Sequence, residues 1–189
     1  IGSFFKYILE FDATGIDKIT INLKKAGTLP DRIAINKKYE ITNLKIIGEI
    51  NGTDLRMIRE MAGSNSKGDY TDGKLSVLDL SEAKIVEGGD WYYSDLHTSN
   101  DVIGSYAFKG CSGLTSLTLP AGITSIDYEA FLGCSGLKEV RFCINDNLDT
   151  YLTKGHPYIY IDVDCGIKYY INDKEITSIE IPSNVTTLG

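Results

Sequence analysis

The sequence predicts a strand-rich α/β solenoid with short helical turns, built from stacked units and closed at its N-terminal end by a capping region. Three observations predict it. A 17-residue stretch recurs at a fixed offset, an apolar spacing of 0, 3 and 5 returns along most of the chain, and one amphipathic helix precedes the clearest repeats.

The recurrence is clearest when Ile103 to Leu119 ("IGSYAFKGCSGLTSLTL") is placed over Ile126 to Phe142 ("IDYEAFLGCSGLKEVRF"), an offset of 23 with 8 of 17 positions identical. The refilled apolar slots are Phe108/Phe131, Cys111/Cys134, Leu114/Leu137, Leu117/Val140 and Leu119/Phe142, and these ten residues are the expected repeat core. The 0, 3, 5 spacing appears at Ile41-Leu44-Ile46, Leu75-Leu78-Leu80, Leu114-Leu117-Leu119, Leu137-Val140-Phe142 and Ile176-Ile179-Ile181, with Ile16-Ile19-Ile21 as a weaker case. Residues two apart share one face of a strand, so the last two members of each triplet point the same way. A strand this short cannot cover its own apolar face, so each unit must stack on a neighbour carrying the same pattern.

Triplets beginning at 75, 114, 137 and 176 are separated by 39, 23 and 39 residues. Two units therefore carry an insert of similar length, one within 81–102 and one within 143–175, and inserts in stacked repeats map to loops on one face or edge. In the second, Ile159, Ile161 and Val163 alternate with Tyr158, Tyr160 and Asp162 as in a hairpin, ahead of the strand-like "IKYYI". Residues 53–62 predict a helix with Thr53 as N-cap, Leu55, Ile58 and Met61/Ala62 on one stripe and Gly63 at its stop. It is expected to cap the stack. The Gly/Ser/Asp stretch 63–73 reads as a linker, dividing a capping region at 1–74 from repeats at 75–189.

Composition narrows the function. The 189 residues carry 26 acidic and 19 basic side chains, a formal net charge of -7, with no Lys/Arg cluster. Nucleic acid and anionic membranes are poor partners for such a surface. No apolar run reaches the roughly 20 residues of a spanning helix. The sequence begins at Ile1 and reads as a mature or trimmed piece. Four cysteines without a C-x-x-C pair exclude a zinc framework.

At this point the phrases "AFKGCSGLTSLTLPAGITSI", "AFLGCSGL" and "ITSIEIPSNVTTLG" resemble the BspA-like leucine-rich repeats of surface and secreted proteins in Bacteroides-type bacteria. "EITNLKIIGEINGTDLRMIREMAG", followed by "LSVLDLSEAKIV", is similar to the capping portion that precedes such repeats. The resemblance implies a right-handed leucine-rich repeat solenoid and an extracytoplasmic location, at the cell surface or secreted. It also implies adhesion to host matrix proteins, other cells or surface glycans. No catalytic residue and no cofactor follow from it. Asp127 departs from the pattern, standing where the other units have Gly104 and Gly189. The sequence also stops at Gly189, where another A-F-x-G-C would begin, so the protein is expected either to be longer or to expose a strand edge open to self-association.

Candidate sites divide into structural and recognition groups. Cys111 and Cys134 fall in equivalent slots and are expected to be buried thiols beside Phe108 and Phe131. Cys143 and Cys165 bracket most of the second insert and are either disulfide-bonded or free. His97 and His156 lie in the inserts with no nucleophile at a supporting spacing, so both read as exposed loop residues. Asp69/Asp72, Asp146/Asp149 and Asp162/Asp164 pair acidic groups, but "DVDCG" has Ile167 and Asp173 where a calcium loop needs glycine and glutamate. No metal site is expected. The aromatics of the inserts, Trp91, Tyr92, Tyr93, Tyr158, Tyr160, Tyr169 and Tyr170, supply contact area with a polar handle and are the candidate ligand-binding set for a protein or glycan. The competing roles for the chain are a structural spacer of a longer surface protein and a glycan-processing enzyme, which would need two carboxylates facing across a cleft.

Overall fold

The computed structural model describes residues 8–11, 17–142 and 167–175. In chain order the elements are β1 (Ile8–Phe11), β2 (Asp17–Leu23), α1 (Leu29–Arg32), β3 (Asn43–Ile50), α2 (Gly52–Met61), β4 (Val77–Asp79), β5 (Ala83–Ile85), β6 (Gly88–Tyr93), β7 (Leu96–Thr98), β8 (Val102–Ile103), β9 (Ser116–Leu119), β10 (Ser125–Ile126), β11 (Glu139–Phe142), β12 (Lys168–Ile171) and β13 (Lys174–Glu175). Nine strands form one sheet in the order β1-β2-β3-β4-β9-β11-β12-β13, with β5 also paired to β3.

The recurring triplets set the register of this sheet. Leu44 pairs with Leu78, Leu78 with Leu117, and Leu117 with Val140. A second column runs from Leu119 to Phe142. All six side chains are buried, because alternate residues of each strand face the core while those between them face outward. A second, two-stranded ladder, β8 to β10, repeats the 23-residue offset on the far side of each unit: Ile103 pairs with Ile126.

The sheet is mixed, so of the expected α/β solenoid the structure shows the strand-rich repeat part and not a solenoid. Its middle is parallel, but β1 joins β2 and β13 joins β12 antiparallel. The latter hairpin comes from the second insert. Beside β11 lies β12, with Tyr169 opposite Val140 and Ile171 opposite Phe142, while the 176–181 triplet lies outside the described residues. Asn172 and Asp173, at φ 47° and 63°, make the two-residue turn that sends β13 back. What stands is a strand-rich repeat fold with few helices.

The helix forms nearly where expected but is capped differently. Asn51, in extended conformation, is the N-cap; its side chain accepts from Thr53 N–H at 3.1 Å while Asp54 accepts from Asn51 N–H at 2.9 Å. This reciprocal pair satisfies two end amides and leaves the Thr53 hydroxyl free to accept from Asp90 N–H at 2.8 Å. Buried Asp54 also accepts from Leu29 N–H at 2.8 Å and from Gly27 N–H, which ties the α1 segment to the helix start. Leu55, Ile58 and Met61 are buried against the sheet, each stabilising by roughly 1.5–3 kcal/mol. Gly63, at φ 108°, ends the helix. The stretch 63–73 is packed rather than free: Ser64 bridges to Tyr70, and Asn65 accepts from Lys67 N–H and Asp69 N–H at 2.9 Å each.

Between the two repeated units, the turns stack through a fixed set of bonds. Tyr106, Phe108 and Gly110 N–H donate to Tyr128, Ala130 and Leu132 carbonyls at 3.4, 2.8 and 2.8 Å. The rings of Phe108 and Phe131 stack at 5.9 Å, and the Cys134 thiol donates to Phe108 O at 2.9 Å. The first turn has no earlier turn to donate to its own carbonyls. Side chains replace it. The Tyr92 hydroxyl donates to Ser105 O at 2.9 Å, and the Arg59 guanidinium donates to Ala107 O and Lys109 O at 2.9 Å each. Ser105, Ala107 and Lys109 stand 23 residues before Tyr128, Ala130 and Leu132.

Arg59 also donates to Tyr106 O at 2.8 Å, Asn65 O at 3.2 Å and Ser64 Oγ at 3.2 Å, and it is completely buried. Removing it leaves several buried carbonyls without donors, at about 1–3 kcal/mol apiece before relaxation. Arg59→Met is expected to lower the unfolding free energy by about 3 kcal/mol, and Arg59→Lys to recover less than about half of that, since an ammonium lacks the planar fork. Urea denaturation followed by circular dichroism measures both; an unchanged midpoint for Arg59→Met would contradict the capping role.

Candidate functional site

The first insert is a hairpin of β6 and β7 that lies against the start of α2. Its position is set by close backbone approach: a Cβ on Gly52 would sit 1.9 Å from Asp90 O. Thr98 Oγ1 closes its base by donating to Val86 O at 2.7 Å and Gly88 O at 3.0 Å. Within "DWYY" the three aromatics take different surroundings. Trp91 is 50% exposed, Tyr92 is 1% exposed and Tyr93 is half-buried.

Tyr92 belongs to the core. Burial, with the Asp127 carboxylate adding to it, pushes its hydroxyl up to about 12, so it remains a donor to Ser105 O at any physiological pH. A Cβ on Gly104 would lie 2.4 Å from that hydroxyl, which accounts for the difference between Gly104 and Asp127 in otherwise matching units. Tyr93 packs between two cations, with the Arg59 guanidinium 4.8 Å and the Lys109 ammonium 5.4 Å from its ring centre. Its ring then meets Tyr106 at 5.5 Å, and Tyr106 meets Tyr128 at 6.4 Å.

Of the second-insert aromatics, Tyr158 and Tyr160 lie outside the described residues. Tyr169 is buried against Phe142 with ring centres 6.4 Å apart, while Tyr170 is on the outward face under the Arg141 guanidinium at 4.3 Å. Trp91 and Tyr170 thus offer surface; Tyr92 and Tyr169 offer none. Three residues of this region escape a reading based on inserts alone: Tyr106, Lys109 and Tyr128, the last 53% exposed, occupy variable slots of the repeat itself. Arg59 is missed as well: it stands four residues after Leu55 on the buried side of the helix, but its charge reads as solvent-facing.

The outward face of the main sheet is a row of paired charges. Lys45 reaches Glu82 at 2.5 Å and Asp79 at 3.6 Å, and Lys18 reaches Asp79 at 3.5 Å. Glu82 and the desolvation it outweighs leave Lys45 above its ordinary value. Burial alone would raise the Asp79 carboxyl, but hydrogen bonds from the Ser81 side chain and backbone, with the charges of Lys45 and Lys18, hold it below its ordinary value. Further along, Arg141 joins Glu139 and Asp173 at 2.9 Å each, and Glu139 accepts from Ser116 Oγ at 2.6 Å. The polar surface of the face is therefore laid out in matched pairs, with Tyr170 at one end.

Cys111 and Cys134 are buried free thiols. Burial pushes Cys111 up to about 12, which removes its nucleophilic form at neutral pH. Cys143 and Cys165 lie outside the described residues. His97 is exposed, with Nδ1 3.1 Å from Gly89 O; His156 lies outside the described residues. Asp69 and Asp72 are exposed, and Asp69 accepts from the Asn65 side chain at 3.1 Å. Among the described residues no three His, Cys, Asp or Glu side chains group as a metal site, and no helix is long and apolar enough to cross a membrane. A groove of about 230 Å³ between the α1 segment and α2 is lined by Ile33, Ile35, Arg56 and Met57 and includes Glu60, which is held by Lys38 at 2.5 Å.

Residues 93–155 match the family model described as BspA type leucine rich repeat region (6 copies). No curated protein matches the chain. The matched stretch begins within the hairpin and includes both stacked turns.

Two outcomes follow from these environments. Iodoacetamide at mildly alkaline pH is expected to leave Cys111 and Cys134 unmodified in the native protein and to alkylate both in urea, as read by peptide mass mapping; rapid native labelling of either would show an open core. Because the folded Asp79 carboxyl lies below its ordinary 3.8, its contribution is complete above that value and lost as pH falls through the folded one. The stability difference between wild type and Asp79→Asn should therefore shrink from about pH 6 to about pH 3 in urea titrations.

Proposed function

We propose that this chain is a non-enzymatic recognition module of an extracytoplasmic surface, a leucine-rich repeat solenoid with a capping region at 1–74 and repeats at 75–189, which holds a protein or glycan of a host or neighbouring cell. Repeat families of this kind are typically non-enzymatic and surface-borne or secreted, and such domains commonly mediate protein interactions. The observation that carries the reading is the presentation of Trp91. The hairpin that bears it is fixed at its base by Thr98 and in the core by Tyr92, yet Trp91 itself stands half out of the surface. A large apolar side chain on a rigid support loses little freedom on binding, which is how an interface anchor differs from a loose surface aromatic.

Tyr170 and the paired charges of the sheet face fit the same role, since matched charges orient a partner and discriminate against others more than they add affinity. Tyr93, Tyr106 and Tyr128, with Lys109 among them, extend the aromatic surface from the hairpin onto the repeats. The spacer reading rests on that same charge pairing, which leaves the face self-satisfied without a ligand.

Equilibrium binding of the purified chain to a panel of extracellular matrix proteins and surface glycans tests the proposal. We expect at least one saturable partner, bound about tenfold more weakly by Trp91→Ala and equally by Ile35→Ala, whose exposed side chain lies on the α1 side of the molecule. An empty panel would overturn the recognition role in favour of the spacer.

A further inference from the structure

The outward stripe of α2 forms a groove with the α1 segment. Thr53, Arg56, Met57 and Glu60 recur at the i, i+3, i+4 and i+7 spacing of one helix face, opposite the buried Leu55 and Ile58. They face Ile33 and Ile35 across about 230 Å³, the volume of roughly eight waters. That is room for a molecule of amino-acid size and not for a folded partner. The floor is apolar, with Ile33 3% and Met57 7% exposed. Ile35 also lines the groove, yet it is 78% exposed.

The charges around this floor are of both signs. At the start of the helix Asp90 is fixed through its backbone: its N–H donates to Thr53 Oγ1 at 2.8 Å, and its carbonyl lies so close to Gly52 that a Cβ there would come within 1.9 Å. Arg56 follows Thr53 by three residues, about 4.5 Å along the helix axis. A carboxylate and a guanidinium thus border one apolar floor, and among the described residues they join neither each other nor another charged group. One turn further on the pattern differs. Glu60 is bonded to Lys38, whose ammonium also lies 4.8 Å from the Tyr39 ring centre. That end of the groove is neutralised by its own ion pair, and the other end presents one charge of each sign. A ligand carrying a single charge would be repelled by one of the two groups, whereas a zwitterion answers both.

We propose that this groove binds a free apolar α-amino acid as its zwitterion, with the α-carboxylate on the Arg56 guanidinium, the α-ammonium on the Asp90 carboxylate and the side chain on Met57 and Ile33. The forked guanidinium matches a carboxylate in two parallel bonds and so fixes the ligand's orientation. The Thr53 hydroxyl, which accepts from Asp90 N–H, keeps its own proton to donate to the same carboxylate. Charge contacts open to water add little affinity, so the expected dissociation constant is about millimolar. Trp91 does not line the groove, so this proposal and the recognition role can each fail without the other.

The test titrates L-leucine into the full 189-residue chain labelled with nitrogen-15 and follows the amide chemical shifts. The Arg56, Met57 and Asp90 amides are expected to shift saturably, with half-saturation at about millimolar leucine. N-acetyl-leucine, which lacks the ammonium, and leucinamide, which lacks the carboxylate, should each bind about tenfold more weakly, and glycine should give no saturable shift. On the protein side, Asp90→Asn should weaken leucine about tenfold and leave N-acetyl-leucine unchanged, while Arg56→Gln should weaken leucine about tenfold and leave leucinamide unchanged. Absence of a saturable shift with leucine overturns the proposal, as does equal binding of leucine, N-acetyl-leucine and glycine. An Arg56→Gln variant that weakens leucinamide as much as leucine would also overturn it. The comparison of ligands is made on the native chain and stands even where a variant fails to fold.

Discussion

Everything in this molecule depends on how the first turn of a repeat satisfies three carbonyls that have no preceding turn. Inside the stack the answer is repetition, since the amides of one turn donate to the carbonyls of the next. At the first turn a guanidinium and a phenol stand in for those amides, and they reach the same three positions that the repeat would have reached. An unsatisfied buried carbonyl costs nearly as much as a lost hydrogen bond, so without this substitution the helix could not be packed against the repeats.

The substitution has its own cost, which shapes the surroundings. Burying a guanidinium removes it from water, and desolvation lowers the Arg59 pKa, yet among the described residues no carboxylate is brought beside it. Five oxygen acceptors and the face of Tyr93 take the place of a counter-ion. This accounts for the two tyrosines of the first insert. Tyr92 supplies the third donor, Tyr93 covers the charge, and the first repeated unit carries glycine at 104, which admits the Tyr92 hydroxyl. Part of what the sequence offers as a ligand-binding aromatic cluster is therefore a seal, and Trp91 is the member of the hairpin that stays largely outside it.

The two faces of the molecule are built on different economies. The inner columns of Leu, Ile and Val are non-directional and tolerate any partner of the right size, so they fix the stack but carry no specificity. The outer face is written in pairs, Lys45 with Glu82 and Asp79, Arg141 with Glu139 and Asp173. Apart from Arg141–Glu139, which lies within β11, these pairs span neighbouring strands or the loops that join them, which makes much of the polar surface a property of the stacked units.

By itself the sequence determined the repeat, its 23-residue offset, the inward columns and the existence of the helix, because apolar spacing and turn residues act locally and survive in a string of letters. Phe108, Phe131, Cys111 and Leu117 were legible for that reason. It did not reveal that Tyr92 and Tyr169 turn inward while Trp91 and Tyr170 remain outside, since alternation along a two-sided hairpin names no inner side until the hairpin has something to lie against. Nor did it place β12 beside β11, because a turn such as Asn172-Asp173 is two residues among many polar ones, or make Asn51 rather than Thr53 the cap. Arg59 is the clearest case. A charged residue on an amphipathic helix reads as solvent-facing, and only the tertiary structure, by bringing carbonyls 106, 107 and 109 from nearly fifty residues away, made a buried cation the favourable choice.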